Sequence, residues 1–244
     1  MLTPSSKEDI EQFFQKLCAE AGRLGVIGFS PLDKIHLLPE QQQYLEEKLK
    51  SLGPLQEVTA ISLGVCYHEQ EIRCIPTTWQ SKASPNDHWN EYAQAYTVLN
   101  YTLNEFAQKM VTRFGGLAEQ ATIEGWAGHV KHVMDYFPHC VSHRVFAEAA
   151  GLGWRGRHSL IVTPEAGPAL RFATIFTPGR IPGSPKELPG CGECRMCLEV
   201  CPILRKAKDY REACRRRIHA LGLKADVCGI CVRMCWEHIR QTSG

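Results

Sequence analysis

No apolar run in the 244-residue sequence approaches the ~18–20 residues that a membrane-crossing helix needs. Residues 1–9 lack both a basic n-region and an apolar h-region, so no signal peptide is expected and no membrane partner; the expected compartment is the cytoplasm. Net charge is scarce too. The 28 Lys+Arg nearly cancel 26 Asp+Glu, so the chain as a whole is not built to coat nucleic acid or an acidic membrane. Internal repeats and low-complexity tracts are missing. Before residue 191 cysteine is sparse, with only Cys18, Cys66, Cys74 and Cys140, each alone. Free cysteines on apolar elements behave as small hydrophobes, and Cys140, although beside histidines, reads as a passive thiol before it reads as a nucleophile.

What is present is concentrated at the other end. Cys191, Cys194, Cys197, Cys201, Cys214, Cys228, Cys231 and Cys235 crowd into the last fifth. A secreted disulfide protein does not confine its cysteines to one end of a cysteine-poor core, so metal is the better reading. Residues 191–202 form C-x2-C-x2-C-x3-C-P without deviation. Three thiolates at this spacing wrap one face of a cubane while the fourth, leaving on a helix, serves a second cluster. A zinc site would use two C-x2-C pairs and leave the third cysteine idle. Residues 228–235 supply C-x2-C-x3-C, and Cys214 stands alone upstream. Ferredoxin-like pseudo-symmetry then assigns Cys191, Cys194, Cys197 and Cys235 to one 4Fe–4S cluster and Cys201, Cys214, Cys228 and Cys231 to the other. The plain alternative for Cys214 is a buried free thiol. Residues 205–217 hold seven basic and two acidic groups, which either compensate cluster charge or form a docking patch for a low-potential electron donor such as a ferredoxin or flavodoxin.

Upstream, hydrophobic periodicity predicts an α+β core over residues 1–178. Ser5 or Ser6 caps a first helix with an apolar stripe from Ile10 to Ala21; a strand covers 24–29, and Pro39 opens a second helix that stops at Gly53-Pro54. Residues 58–67 read as a central strand. The clearest element is a helix over 87–113, whose Trp89, Tyr92, Tyr96, Leu99, Leu103, Phe106 and Met110 alternate steps of three and four. The many aromatics suggest packing on a sheet. A short helix over 141–150 follows, then strands over 159–163 and 170–177 joined as a hairpin. Four prolines and three glycines between Pro178 and Gly190 suggest a linker over 179–190, ahead of a ferredoxin-like module over 191–244.

The irregular double-cluster pattern, together with residues 147–168 (AEAAGLGWRGRHSLIVTPEAGP), resembles the superfamily of epoxyqueuosine reductases and reductive dehalogenases. The Arg157-His158 pair and the Thr-Pro-Glu-x-Gly-Pro continuation are more similar to the dehalogenase version. The resemblance implies a nitroreductase-like α/β core and cobalamin between that core and the clusters, with reductive chemistry at cobalt. On that basis Arg144, Gly151, Gly153, Trp154, Arg157 and His158 are the expected cofactor-binding residues. The glycines suit close approach of a flat corrin, although Gly151 alone also suits a helix C-cap. A proton-donating Asp of the reductases aligns without gaps near Phe137, with Asp135 two residues away. Asp135, Tyr136 and His143 are therefore the catalytic candidates, against a plain reading of Tyr136, His139 and His143 as loop hydrogen-bonding groups. The reductases' Pro-Trp-Asn after the last cysteine is replaced by Trp236-Glu-His, and no helical-repeat extension follows. The substrate is accordingly expected to be an unidentified small molecule, and tRNA is held doubtful as a partner. The expected activity is an iron–sulfur oxidoreductase passing electrons to a cofactor or substrate in the core. The alternatives are a non-catalytic electron-transfer protein and a cobalamin reductase or delivery protein.

Overall fold

A computed structural model describes residues 6–121, 131–136, 138–183 and 187–242. Phe137 lies outside the described residues, as does Ser5. Ser6 opens α1 (Lys7–Glu20): its hydroxyl accepts the Asp9 amide while the Asp9 carboxylate accepts the Ser6 amide, closing a capping box. β1 (Gly25–Pro31), α2 (Pro39–Leu49), β2 (Val58–Cys66), a short α3 (Glu69–Arg73), α4 (Trp89–Phe114) and β3 (Leu117–Glu119) follow. Then come α5 (His143–Ala149), β4 (Trp154–Arg155), β5 (Ile161–Val162) and β6 (Leu170–Pro178).

The main sheet has the order β1-β2-β6-β3, and every neighbouring pair is antiparallel. β2 is buried along its whole length, as its unbroken β-rich sequence requires. Alternation sorts its side chains: Ile61, Leu63 and Val65 join α1 and α4 in the large apolar cluster, whereas Val58 and Ala60 face α2 and α5. The α4 seam is buried from Trp89 to Met110, but it covers more than the sheet. Leu221, Ala225, Ile230, Val232 and Trp236 from the cysteine-bearing end belong to the same apolar cluster.

Three expectations change. The strand over 159–163 does not pair with β6: Ile161–Val162 pair with Trp154–Arg155 as a second sheet, and Thr163↔Gly167 forms only an isolated bridge before the chain enters β6. The Pro/Gly-rich stretch does not run free at its start. Thr59 Oγ1 donates to the Gly179 carbonyl at 2.8 Å, and the Ile181 amide donates back to Thr59 Oγ1 at 2.9 Å. Finally, the cysteine module contains four helices and no strand among the described residues, so its ferredoxin-like character rests on cysteine spacing alone.

Candidate metal and substrate site

The module comprises α6 (Met196–Val200), α7 (Pro202–Lys206), α8 (Tyr210–Ala220) and α9 (Ile230–Thr242). Its eight cysteines are unbridged thiols. Two sets of mutual neighbours stand out. Burial first, then Cys197, Cys191 and Cys194, push the Cys235 thiol up to about 12; Cys197 is raised to about 11 by burial and by Cys191 and Cys194. In the second set, burial and then Cys214, Cys228 and Cys201, followed by Cys197 of the first set, hold Cys231 well above the ordinary thiol range. Cys214 is exposed by surface area, yet enough protein surrounds its sulfur that desolvation, followed by Cys228 and Cys201, raises it to about 12.

Four thiols that hinder one another's ionisation form a site for a cationic body between them. Among the described residues no three His, Cys, Asp or Glu side chains converge on a single-ion site. Backbone amides already point at sulfur: Cys197 and Leu198 toward the Cys197 thiol, and Ile230 toward Cys228. This donor chemistry fits cubane clusters, whose potentials are tuned by such N–H···S contacts.

The 151–160 block packs beside the first cysteine loop. Arg157 donates from Nε to the Cys194 carbonyl at 3.0 Å and from a terminal nitrogen to the Gly192 carbonyl at 2.8 Å. Arg144 donates to Ser142 Oγ at 2.9 Å and to the Ser159 carbonyl at 2.8 Å. Desolvation, with Arg211 and Arg155 nearby, lowers its pKa to about 10. Ser159 adopts a left-handed φ of 62° and hydrogen-bonds the Tyr210 hydroxyl of α8, so a strained turn is tied to the module. Two buried donors in this block have no acceptor: Trp154 Nε1 and His158 Nε2. His158 Nδ1 already accepts the Leu160 amide, so its proton sits on the unpartnered Nε2.

The two glycines have local explanations. Gly151, at φ 70°, closes α5, and its amide and that of Leu152 bond back to Glu148 and Ala147. A Cβ at Gly153 would lie 2.3 Å from the Val162 carbonyl oxygen, so the β4–β5 pairing itself demands glycine.

Asp135, Tyr136 and His143 are not gathered at one point. Asp135 is exposed on the turn Val133–Tyr136 and accepts the His132 amide at 2.8 Å. Tyr136 and Asp135 both act on Arg215 of α8, and burial raises the Tyr136 pKa. His143 instead faces the main sheet. Its Nδ1 contacts Thr174 Oγ1 at 2.9 Å and its Nε2 the Gln120 carbonyl at 2.8 Å. The carbonyl can only accept, so Nε2 carries the proton, and burial drops the pKa to about 4. Both ring nitrogens are already engaged, which suits structure better than proton transfer.

No family model matches the chain. An epoxyqueuosine reductase of Salmonella typhimurium is 31% identical over 132 residues, 53% of this chain and 33% of its own length. That of Pseudomonas aeruginosa is 30% identical over 129 residues, 52% of this chain and 35% of its own. By sequence, the chain is a relative of the epoxyqueuosine reductases. It spans about a third of the length of these curated relatives. The structure of the Streptococcus thermophilus epoxyqueuosine reductase superposes with a TM-score of 0.49 at 20% identity, covering 93% of this chain and 65% of the other. A further similar structure is an epoxyqueuosine reductase with a tRNA-Tyr epoxyqueuosine-modified stem loop, at a TM-score of 0.45. The expectation that tRNA is a doubtful partner is thereby corrected: the curated relatives carry the name epoxyqueuosine reductase, and a protein of that name is seen with an epoxyqueuosine-modified tRNA stem loop. Among the described residues no helix is long and apolar enough to cross a membrane.

Sequence reasoning placed Arg217 in the basic run 205–217 but missed its partner: it stacks on Trp79, a long-range arrangement that no local pattern announces.

Proposed function

We propose that this chain is an iron–sulfur reductase of the epoxyqueuosine reductase kind. Its module holds one 4Fe–4S cluster on Cys191, Cys194, Cys197 and Cys235 and a second on Cys201, Cys214, Cys228 and Cys231. The single observation that carries the reading is the gathering of all eight thiols at one place, with Cys197, Cys191 and Cys194 acting on Cys235, and Cys214, Cys228 and Cys201 acting on Cys231 ahead of Cys197. Bound clusters supply one-electron storage at low potential. The protein's own part is to shield the sulfurs, to direct backbone amides at them, and to lay the 151–160 block against the first cysteine loop through Arg157. The relatives' name makes an epoxide-bearing nucleoside in tRNA the first substrate to test. Anaerobically purified protein is expected to contain about eight irons and about eight acid-labile sulfides per chain. About four irons would refute the second cluster, and zinc in their place would refute the class.

A second reading adds a corrinoid beside the 151–160 block. The observation favouring it is the pair of buried, acceptor-less donors, Trp154 Nε1 and His158 Nε2, which suit the amide-rich rim of a corrin. Bound there, a corrinoid would supply a strongly reducing metal centre. Titrating hydroxocobalamin into cluster-replete protein should change the visible spectrum stoichiometrically, and Trp154→Phe with His158→Phe should weaken that change. An unchanged spectrum for the unaltered chain would remove the corrinoid and leave the two-cluster reductase standing.

A further inference from the structure

Arg171 of β6 is a cation without a counter-charge. Among the described residues no carboxylate lies within ion-pair distance of it. Its Nε donates to Asn100 Oδ1 at 3.0 Å, and Nη2 reaches the Tyr96 hydroxyl at 3.4 Å. The guanidinium lies 4.5 Å from the centre of the Tyr96 ring. Nη1 has no hydrogen-bond partner among the described residues. Burial opposes the charge, yet the oxygens of Tyr96, Tyr67 and Tyr92 more than offset it and hold the Arg171 pKa above the ordinary arginine value.

Strand register brings a second unpartnered donor to the same place. Val65 of β2 is the register partner of Arg171, and the Tyr67 amide donates to the Ala169 carbonyl at 3.0 Å, so the pairing continues two residues further. Tyr67 and Arg171 are therefore diagonal neighbours on the sheet face that α4 covers, a separation that long side chains bridge. Their aromatic neighbours on α4 are one turn apart: Tyr92, with its ring 5.2 Å from that of Tyr67, and Tyr96. Tyr67 is only 8% exposed, and its hydroxyl has no hydrogen-bond partner. Arg171 is only partly buried, so the group is not sealed from solvent.

We propose that Arg171, Tyr67 and Tyr96 form a binding site for a small monovalent anion, a halide or a carboxylate, on the α4 side of the main sheet. Every group left over there is a donor: Arg171 Nη1, the Tyr67 hydroxyl, and the proton of the Tyr96 hydroxyl, whose oxygen already faces Arg171. A guanidinium without a counter-charge and a buried hydroxyl without an acceptor each cost stability, and one anion between them removes both costs. Water would satisfy the hydroxyl and leave the charge uncompensated. One positive charge among aromatic rings favours a singly charged, weakly hydrated ion over phosphate or sulfate. The site depends on neither the clusters nor the corrinoid.

The test is the thermal unfolding temperature of anaerobically purified protein titrated with sodium bromide and, separately, with sodium formate. General salt effects are common to all variants and cancel when each is compared with the unaltered chain at the same salt. The unaltered chain should gain stability with a saturable midpoint, as a ligand that binds only the folded state requires. A response to bromide alone assigns a halide, to formate alone a carboxylate, and to both a site open to either. Tyr67→Phe should move the midpoint to about tenfold higher concentration, the loss expected for one hydrogen bond to a charged group. Arg171→Met should abolish the saturable response. Should Arg171→Met fail to fold, Tyr67→Phe decides, because the Tyr67 hydroxyl makes no hydrogen bond within the fold that its removal would break. No saturable response to either salt in the unaltered chain, or an unmoved midpoint in Tyr67→Phe, would overturn the site and leave Arg171 a structural stack on Tyr96.

Discussion

The indole Nε1 of Trp89 donates to the carbonyl oxygen of Cys228 at 2.7 Å. Trp89 is wholly buried at the first turn of α4, so one side chain fills the core and fixes the backbone of a cysteine proposed to hold a cluster. Trp89→Phe keeps most of the apolar contact but strands that carbonyl. It should cost about 1–3 kcal/mol in chemical denaturation and speed iron loss to a chelator. A variant that keeps wild-type stability and iron retention would show the bond to be dispensable.

Cys214→Ala should disable one cluster only. Cys214 is the sole member of its set on α8 and the one residue of that set classed as exposed, so its removal opens one edge of the site to solvent. A 3Fe-type or empty site is expected, with the other cluster's EPR signal intact. Full iron with unaltered spectra would mean that Cys214 is not a ligand.

Acid should destabilise the chain through two imidazoles. Burial lowers the pKa of both His143 and His158 to about 4, with Arg144 adding to the effect at His158. An unfolded histidine takes its proton near 6.5, so below that pH the unfolded state binds protons that the folded state refuses. Stability is therefore full above about pH 6.5, falls as pH drops from there to about 4, and then levels, with a loss on the order of 1–3 kcal/mol per imidazole. Urea titrations at pH 7.5 and pH 5 measure the drop. His143→Gln should shrink it, and an undiminished drop would remove His143 from the account.

Much of the fold could be read from local pattern. Ser6 and Asp9 stand at capping-box spacing, and the α4 seam repeats without a break, so both elements follow from neighbours in sequence. What the seam packs against could not be read that way. Its first turns, Trp89 and Tyr92, meet the cysteine module, as the hydrogen bond to Cys228 and the contact of Tyr92 with Gly229 show. His143 looked like a proton donor because its locking partners, Thr174 and the Gln120 carbonyl, come from distant strand and loop positions. The pairing of β5 with β4 was hidden because each has only two residues, too short for any alternation to register.

Gly153 is a test of backbone geometry before it is a test of any ligand. Since an added Cβ would meet the Val162 carbonyl at 2.3 Å, even Gly153→Ala must push β4 from β5. A destabilisation of about 1–3 kcal/mol is expected. Thermal unfolding without added cofactor measures it. Loss of ligand binding in a Gly153 variant would then report a disrupted hairpin. An unchanged melting temperature would free the position for a binding role.

Core and cysteine module should unfold together. Leu221, Ile230, Val232 and Trp236 lie in one apolar cluster with Phe14, Leu63 and Leu99, and Arg233 donates to the Arg73 and Ile75 carbonyls beside α3. Burying such side chains is worth roughly 1.5–3 kcal/mol each relative to exposure, so neither part can open without exposing the other's interior. Heating the cluster-replete protein should bring loss of helical circular dichroism and loss of visible absorbance at one temperature. Stripping iron should lower that temperature for the whole chain, because clusters bound only to the folded state stabilise it by mass action. Bleaching well below an unshifted unfolding transition would mean that the module opens by itself on an intact core, and that the shared apolar cluster does not couple them.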